Sequence, residues 1–160
     1  MYGAEPQLVY HFTLPVSTPS NNEIKHMHWG AYRKLRKQLA LEVLLAAGRP
    51  KGPPLEHALM LVQRCSASAG LDWDNAYGGL KPLLDCLVES SARNPDGLGF
   101  IKNDAPACLV TAPLLIQERA PRGNGSTTVL ILVSSATTPL DAHRQLLELV
   151  SSQPSGLRLI

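Results

Sequence analysis

Ala58-Leu59-Met60-Leu61-Val62, running on through Gln63-Arg64-Cys65-Ser66 and then into Leu71-Asp72-Trp73-Asp74-Asn75, is the stretch on which the fold turns. The apolar run from Ala58 to Val62 leaves no polar face, so Leu55 to Ser66 reads as a central strand. A helix follows Asn75 and runs to about Ser91, with Leu80, Leu83, Leu84, Leu87 and Val88 at helical spacing. Pro82 is awkward inside it, because proline removes one hydrogen bond and crowds the preceding turn. Either the helix kinks at Gly78-Gly79, or its regular part starts near Leu80 with Pro82 in the first turn.

Upstream, Leu8 to Leu14 alternates as a strand that Pro15 closes, and Pro15 to Asn22 reads as a loop. A helix is expected from about His28 to Ala47, with Trp29, Tyr32, Leu35, Leu39 and Val43 as one buried stripe and Gly48 and Pro50 as its stop. Lys51 to Pro54 is a short turn. Downstream, Asn94 to Gly99 is turn-rich, and Cys108 to Glu118 and Thr127 to Ser134 are strands. Arg122-Gly123-Asn124-Gly125 between them reads as the tip of a hairpin. A last helix starts at Thr138-Pro139, with Leu140, His143, Leu146, Leu147 and Val150 on its apolar side. The order β-α-β-α-β-β-α predicts a mixed α/β (α+β) fold, a sheet of about four strands with helices packed on it.

The 160 residues suit one domain, long enough to bury a core without disulfides or structural metal. Apolar residues make up 44%, which excludes a disordered chain, and aromatics only 5%, which makes the core aliphatic. A net charge of +2 excludes a histone-like cation, but the charges are unevenly placed. Residues 1–64 hold eight basic and four acidic side chains; residues 72–104 hold six acidic and three basic ones. That division suits a protein that grips a polyanion with one part and works on it with the other. Cys65, Cys86 and Cys108 are odd in number with no C-x-x-C pair, which favours reduced thiols and a cytoplasmic setting. No apolar run approaches the roughly 20 residues of a membrane span, and Met1 to Gln7 lacks the features of a secretory signal.

The sharpest chemical feature is Asp72-Trp73-Asp74-Asn75. If the segment is extended, Asp72 and Asp74 point to one side and offer two oxygen donors to a hard divalent cation. Asp and Asn also cap helices, and Asp74 or Asn75 stands where a cap would be. Asp104 can supply a third carboxylate if the intervening helix is a compact crossover; it is equally a turn former ahead of Pro106. Lys81 and Asp85 are neighbours on a helix, a pair worth only about 0.3–0.5 kcal/mol if exposed. In a functional reading Lys81 is instead the fixed cation beside a phosphate.

The second feature is basic. Arg33, Lys34, Arg36 and Lys37 come with no acid between them, preceded by Lys25, His26 and His28. A cationic helix side suits phosphate contacts, although such runs are also ordinary solvated faces. His26-x-His28 lacks a further nitrogen or sulfur ligand at a metal-site spacing, and His28 reads as a loop residue near nucleic acid. Dinucleotide and P-loop fingerprints, a nucleophile elbow and a cysteine with a histidine partner are all missing from the sequence.

Taken in order, Leu14-Pro15, Pro19-Ser20-Asn21-Asn22, His28-Trp29, Tyr32-Arg33-Lys34, Asp72-x-Asp74-Asn75, Lys81-x-x-x-Asp85 and Asn103-Asp104, with a closing hairpin near Val133, resemble the RusA-like family of Holliday junction resolvases. These are small metal-dependent endonucleases common in bacteria and their bacteriophages. The resemblance spans residues 8–134 and leaves the helix after Ala136 and the tail to residue 160 outside it. It implies a homodimeric α/β nuclease that binds four-way branched DNA and cuts it with Mg²⁺, for which Mn²⁺ can substitute. Its essential acids fall on Asp72, Asp74 and Asp104 and its basic helper on Lys81, with Asn75 and Asp85 in supporting places. Gly78-Gly79 lengthens the interval to the lysine, and Lys81 is chosen because it keeps the Lys-x-x-x-Asp pattern. Lys25, His28, Arg33, Lys34, Arg36, Lys37, Arg119 and Arg122 are the residues expected to hold the DNA arms. The alternative is a branched- or single-stranded-DNA-binding protein on the same fold without catalysis, in which the acids are caps and turn formers.

Overall fold

The computed structural model describes residues 6–152. The expected tail past Ser152 lies outside them. The elements are β1 (Gln7–Leu14), α1 (Asn21–Lys25), α2 (Trp29–Ala47), β2 (Ala58–Ser66), α3 (Trp73–Gly78), α4 (Lys81–Leu87), β3 (Leu114–Arg119), β4 (Ser126–Val133) and α5 (Pro139–Ser152). They form a mixed α+β domain around a four-stranded sheet in the order β1-β4-β2-β3. β4 runs antiparallel to both β1 and β2, and β3 lies parallel to β2.

The apolar run in β2 does make it a central strand, and alternation divides its side chains between two cores. Met60 and Val62 join Phe12, Leu14, Val43, Leu83, Val129 and Ile131 beneath α2 and α4. Leu59 and Leu61 turn the other way, joining Leu130, Leu132 and Val110 against Ala142 and Leu146 of α5. The helix that falls outside the family resemblance therefore covers the second face of the sheet. Its buried side is Ala142, Leu146, Leu149 and Val150; Leu140 and Leu147, expected inside, are 69% and 46% exposed, and His143, expected with them, is exposed too. The sheet meets this helix one step round from the expected stripe.

Three further expectations are corrected. β3 and β4 do not form a hairpin, since β2 lies between them. The run Thr127 to Leu132 is buried throughout, so β4 belongs inside the sheet and the link from β3 must cross the end of β2. It does so with Ala120 N donating to Ser66 O at 2.9 Å, then turns at Pro121–Asn124 with Gly123 at φ +86°. β3 begins at Leu114 rather than Cys108, because the chain still turns at Ala105–Leu109, with two amides donating to Ala105 O. The loop before α2 contains α1, set by a reciprocal capping box: Glu23 N donates to Ser20 Oγ at 3.2 Å and Ser20 N to Glu23 Oε2 at 2.6 Å.

Both alternatives for the helix after Asn75 are realised at once: α3 stops at Gly78, and a separate α4 begins at Lys81 with Pro82 in its first turn and ends at Leu87, short of the expected Ser91, because Val88 is extended. The glycines are there for close approach. A Cβ on Gly79 would stand 1.8 Å from Pro19 O, and one on Gly78 2.4 Å from Asn21 Cγ. Pro19-Ser20-Asn21 is thereby packed directly on the end of α3. Among the described residues no helix is long and apolar enough to cross a membrane.

Candidate active site

The segment after β2 is held from the neighbouring strand. Gln117 of β3 clasps Leu71, which donates its N–H to Oε1 at 2.8 Å and accepts from Nε2 at 2.7 Å. This fixes the backbone immediately ahead of Asp72. Asp72 occupies the N-cap position of α3 with extended backbone, φ −58° and ψ 150°, yet its side chain makes no capping bond. It accepts instead from Asn75 Nδ2 at 3.1 Å. The Asn75 amide leads in holding the Asp72 carboxyl below the ordinary carboxylate range, its own backbone adds to this, burial opposes weakly, and hydrogen bonding with Asp74 adds least. Asp74 sits in the first turn of α3, exposed. α3 begins at Trp73, so the segment is not extended through Asp74 and the alternation expected to aim both carboxyls to one side gives way to a helical turn, capped at Asp72 rather than at Asp74 or Asn75, in which Asn75 donates to Asp72.

Asp104 is brought to Lys81. The ammonium stands 3.2 Å from Asp104 Oδ2 and 2.7 Å from Asp85 Oδ1. The turn before Pro106 is made by Asn103, whose Oδ1 accepts from Ala105 N at 2.9 Å, which leaves the Asp104 carboxylate free for the lysine. Burial alone would lower the Lys81 pKa; the hydrogen bond and charge of Asp85, then those of Asp104, outweigh it and raise the value. Lys81 is therefore fully charged at neutral pH.

Asp85 in turn is anchored from α2. Tyr32 Oη donates to Asp85 Oδ2 at 3.0 Å, and Arg36 approaches the same oxygen at 3.9 Å while pairing with Asp96 at 3.5 Å. Burial, then the Asp85 charge, pushes the Tyr32 phenol well above its ordinary value. The result is a chain of contacts from α2 through Asp85 and Lys81 to Asp104.

The expected DNA-contacting residues divide in two. Lys25, Arg33, Lys34, Lys37, Arg119 and Arg122 are exposed. Arg36 is turned inward on its acids. His28 caps α2, its Nδ1 accepting from Gly30 N at 3.2 Å. Trp29, expected in the buried stripe, is 69% exposed, because the first turn of α2 projects past the core that Leu39 and Val43 enter.

Sequence reasoning missed Gln117 and Arg64. Arg64 is buried on β2, donating from Nε to Thr18 O at 2.9 Å and from Nη1 to Ser66 Oγ at 3.1 Å, which ties the loop after β1 to the sheet. Burial lowers its pKa against the opposing charge of Glu23. The partners of both residues are distant in sequence, and no local pattern reports them.

Carboxylate oxygens are the right donors for a hard cation such as Mg²⁺. Asp72 and Asp74 carry such oxygens, whereas Asp104 is paired with Lys81. Among the described residues no three His, Cys, Asp or Glu side chains are grouped closely enough to hold a metal ion. Compared with known proteins, the chain matches no family model, no curated protein and no solved structure.

Proposed function

We propose that the protein is a metal-dependent endonuclease that hydrolyses phosphodiesters in branched DNA, the four-way junction above all. The observation that carries this reading is the Lys81 ammonium, held by Asp85 at 2.7 Å on the helix that follows the Asp72–Asn75 segment.

In this reading Lys81 faces the phosphate and offsets the charge that builds on its oxygens during displacement. Asp85 holds the ammonium in place, and Tyr32 holds Asp85. The Asn75 amide donates to Asp72 and favours its charged form, which is the form that serves as a metal donor. A divalent cation, Mg²⁺ or Mn²⁺, bound by Asp72 and Asp74 with Asp104 as third donor, would supply positive charge at the phosphate and activate water. Asp104 would have to leave Lys81 to join it, which would free the ammonium for the phosphate. The exposed cations of α1 and α2, of the end of β3 and of the β3–β4 link, Lys25, Arg33, Lys34, Lys37, Arg119 and Arg122, hold the DNA arms. The protein acts as a homodimer whose two-fold axis matches the near symmetry of a junction. Its setting is the cytoplasm of a bacterial or phage-infected cell.

The engagement of Asp104 by Lys81 favours a second reading, a non-catalytic binder of branched or single-stranded DNA. A synthetic four-way junction incubated with the protein and Mg²⁺ separates the two on a gel. Paired, symmetric nicks support the nuclease. A mobility shift without nicks supports the binder.

A further inference from the structure

We propose that Trp29 is a stacking platform for unpaired bases, set in a cationic surface that holds the flanking phosphates. The inference rests on the nucleic-acid part of the proposed function but needs no catalysis. Trp29 is the first residue of the 19-residue α2 and exposes 69% of its surface, although the buried face of that helix is formed by Leu39, Ala40 and Val43. Core packing gives no reason for an indole here, and leaving so large an apolar side chain in water has a cost.

Its surroundings say what covers it. Two concavities meet at the indole. One, about 420 Å³, is lined by Arg33, Lys34 and Lys37; the other, about 370 Å³, by Arg33, Arg93 and Pro95 among others. Both are shallow and open to solvent. Residues 29, 33 and 37 lie on one helical face by their four-residue spacing. Among the described residues none of Arg33, Lys34, Lys37 and Arg93 makes an ion pair, whereas Arg36, between them, is neutralised by Asp85 and Asp96. The surface thus offers an exposed aromatic face and four uncompensated cations.

A single-stranded nucleic acid complements both, with a flat π-face beside every phosphate; an acidic peptide answers only the charge. In a continuous duplex the base faces are already covered by their neighbours, so Trp29 can stack only where a strand end or branch point leaves one open. The platform would therefore contribute selectivity for structure, while the cations hold any phosphate chain.

The chain has two tryptophans, so Trp73→Phe leaves Trp29 as the sole indole reporter. This protein is titrated, without divalent metal, with a short single-stranded oligonucleotide and with a linear duplex of the same length. Stacking predicts quenching of the Trp29 emission by the single strand and little by the duplex. Trp29→Ala should weaken single-strand and open-junction binding on the order of tenfold, leave duplex binding unchanged, and be largely rescued by Trp29→Phe. Unquenched emission, or equal loss on single strand and duplex, overturns the proposal. Quenching by a protein that cuts no junction supports the platform and removes only the nuclease reading. Cleavage of junctions with Trp29→Ala binding like the unaltered protein removes only the platform, and a protein that binds no nucleic acid removes both.

Discussion

Gln117 and Leu71, 46 residues apart, share two hydrogen bonds of 2.7 and 2.8 Å that close a ring between a side-chain amide and a backbone peptide. The edge strand β3 is thereby made the support of the segment that carries Asp72. Gln117→Leu keeps the bulk and removes both bonds. At roughly 1 kcal/mol per bond, urea unfolding should show a loss of about 1–3 kcal/mol. Amide exchange at Leu71 should accelerate, and under the proposed function cleavage should fall by more than binding. Unchanged exchange at Leu71 would show that the clasp does not hold the segment.

The Tyr32–Asp85 contact predicts a pH dependence. Tyr32 is raised above its ordinary 10.0 by burial first and by Asp85 second. Cys86 is raised from 9.0 to about 12, again by burial first and then by the charges of Asp85 and Asp96. For both groups the folded state holds the proton more tightly than the unfolded chain. Their contributions are complete below pH 9 and are lost as the pH climbs through the folded values. Stability should therefore fall steeply above about pH 10, and Tyr32→Phe should make that fall shallower while costing about 1–3 kcal/mol at pH 7. An alkaline limb of the same steepness in both proteins would contradict the assignment. The same burial predicts that a thiol reagent at pH 8 modifies Cys86 only when the protein unfolds.

Gly79→Ala should be destabilising by about 1–3 kcal/mol, because the added carbon meets backbone rather than a movable side chain. Backbone resonances of Pro19 to Asn21 should shift with it. A variant with unaltered melting and unaltered loop resonances would show that the approach is looser than 1.8 Å implies.

Arg36 and Lys37 are adjacent cations with opposite tasks. Arg36 pairs with Asp85 and Asp96 inside the molecule, and Lys37 faces solvent. Lys37→Ala should leave melting unchanged and reduce the slope of log affinity for DNA against log salt by about 1. Arg36→Ala should lower stability and leave that slope nearly intact. Equal effects of the two substitutions on the salt slope would refute the division.

Much of the architecture was legible because it depends on local rules. The unbroken apolar run of β2 could only be a central strand, the Gly78-Gly79 and Pro82 pattern could only interrupt a helix, and four-residue spacing placed Lys81 against Asp85. Strand order was not legible, because the place of β4 beside β2 depends on which faces α2, α4 and α5 cover. The stripe of α2 was read correctly at Leu39 and Val43 and wrongly at Trp29, since periodicity gives a direction but not the point where the sheet beneath ends. The Ser20-x-x-Glu23 box was a readable signal hidden in a loop-like composition. At the site, the tie of Lys81 to Asp85 followed from spacing, whereas the alternation expected of Asp72 and Asp74 gave way to the first turn of α3. The clasp of Gln117 and the anchoring of Asp85 by Tyr32 join distant elements and left no mark on any one segment.

Under the proposed function, Asp72, Asp74 and Asp104 bind one divalent ion at a DNA phosphate. Anomalous diffraction from crystals of the protein with junction DNA and Mn²⁺ tests it directly. The proposed nuclease requires a manganese peak contacted by all three carboxylates, with Lys81 turned from Asp104 to the phosphate. DNA seated on the protein with Asp104 still paired to Lys81, and no manganese at Asp72 and Asp74, would contradict it.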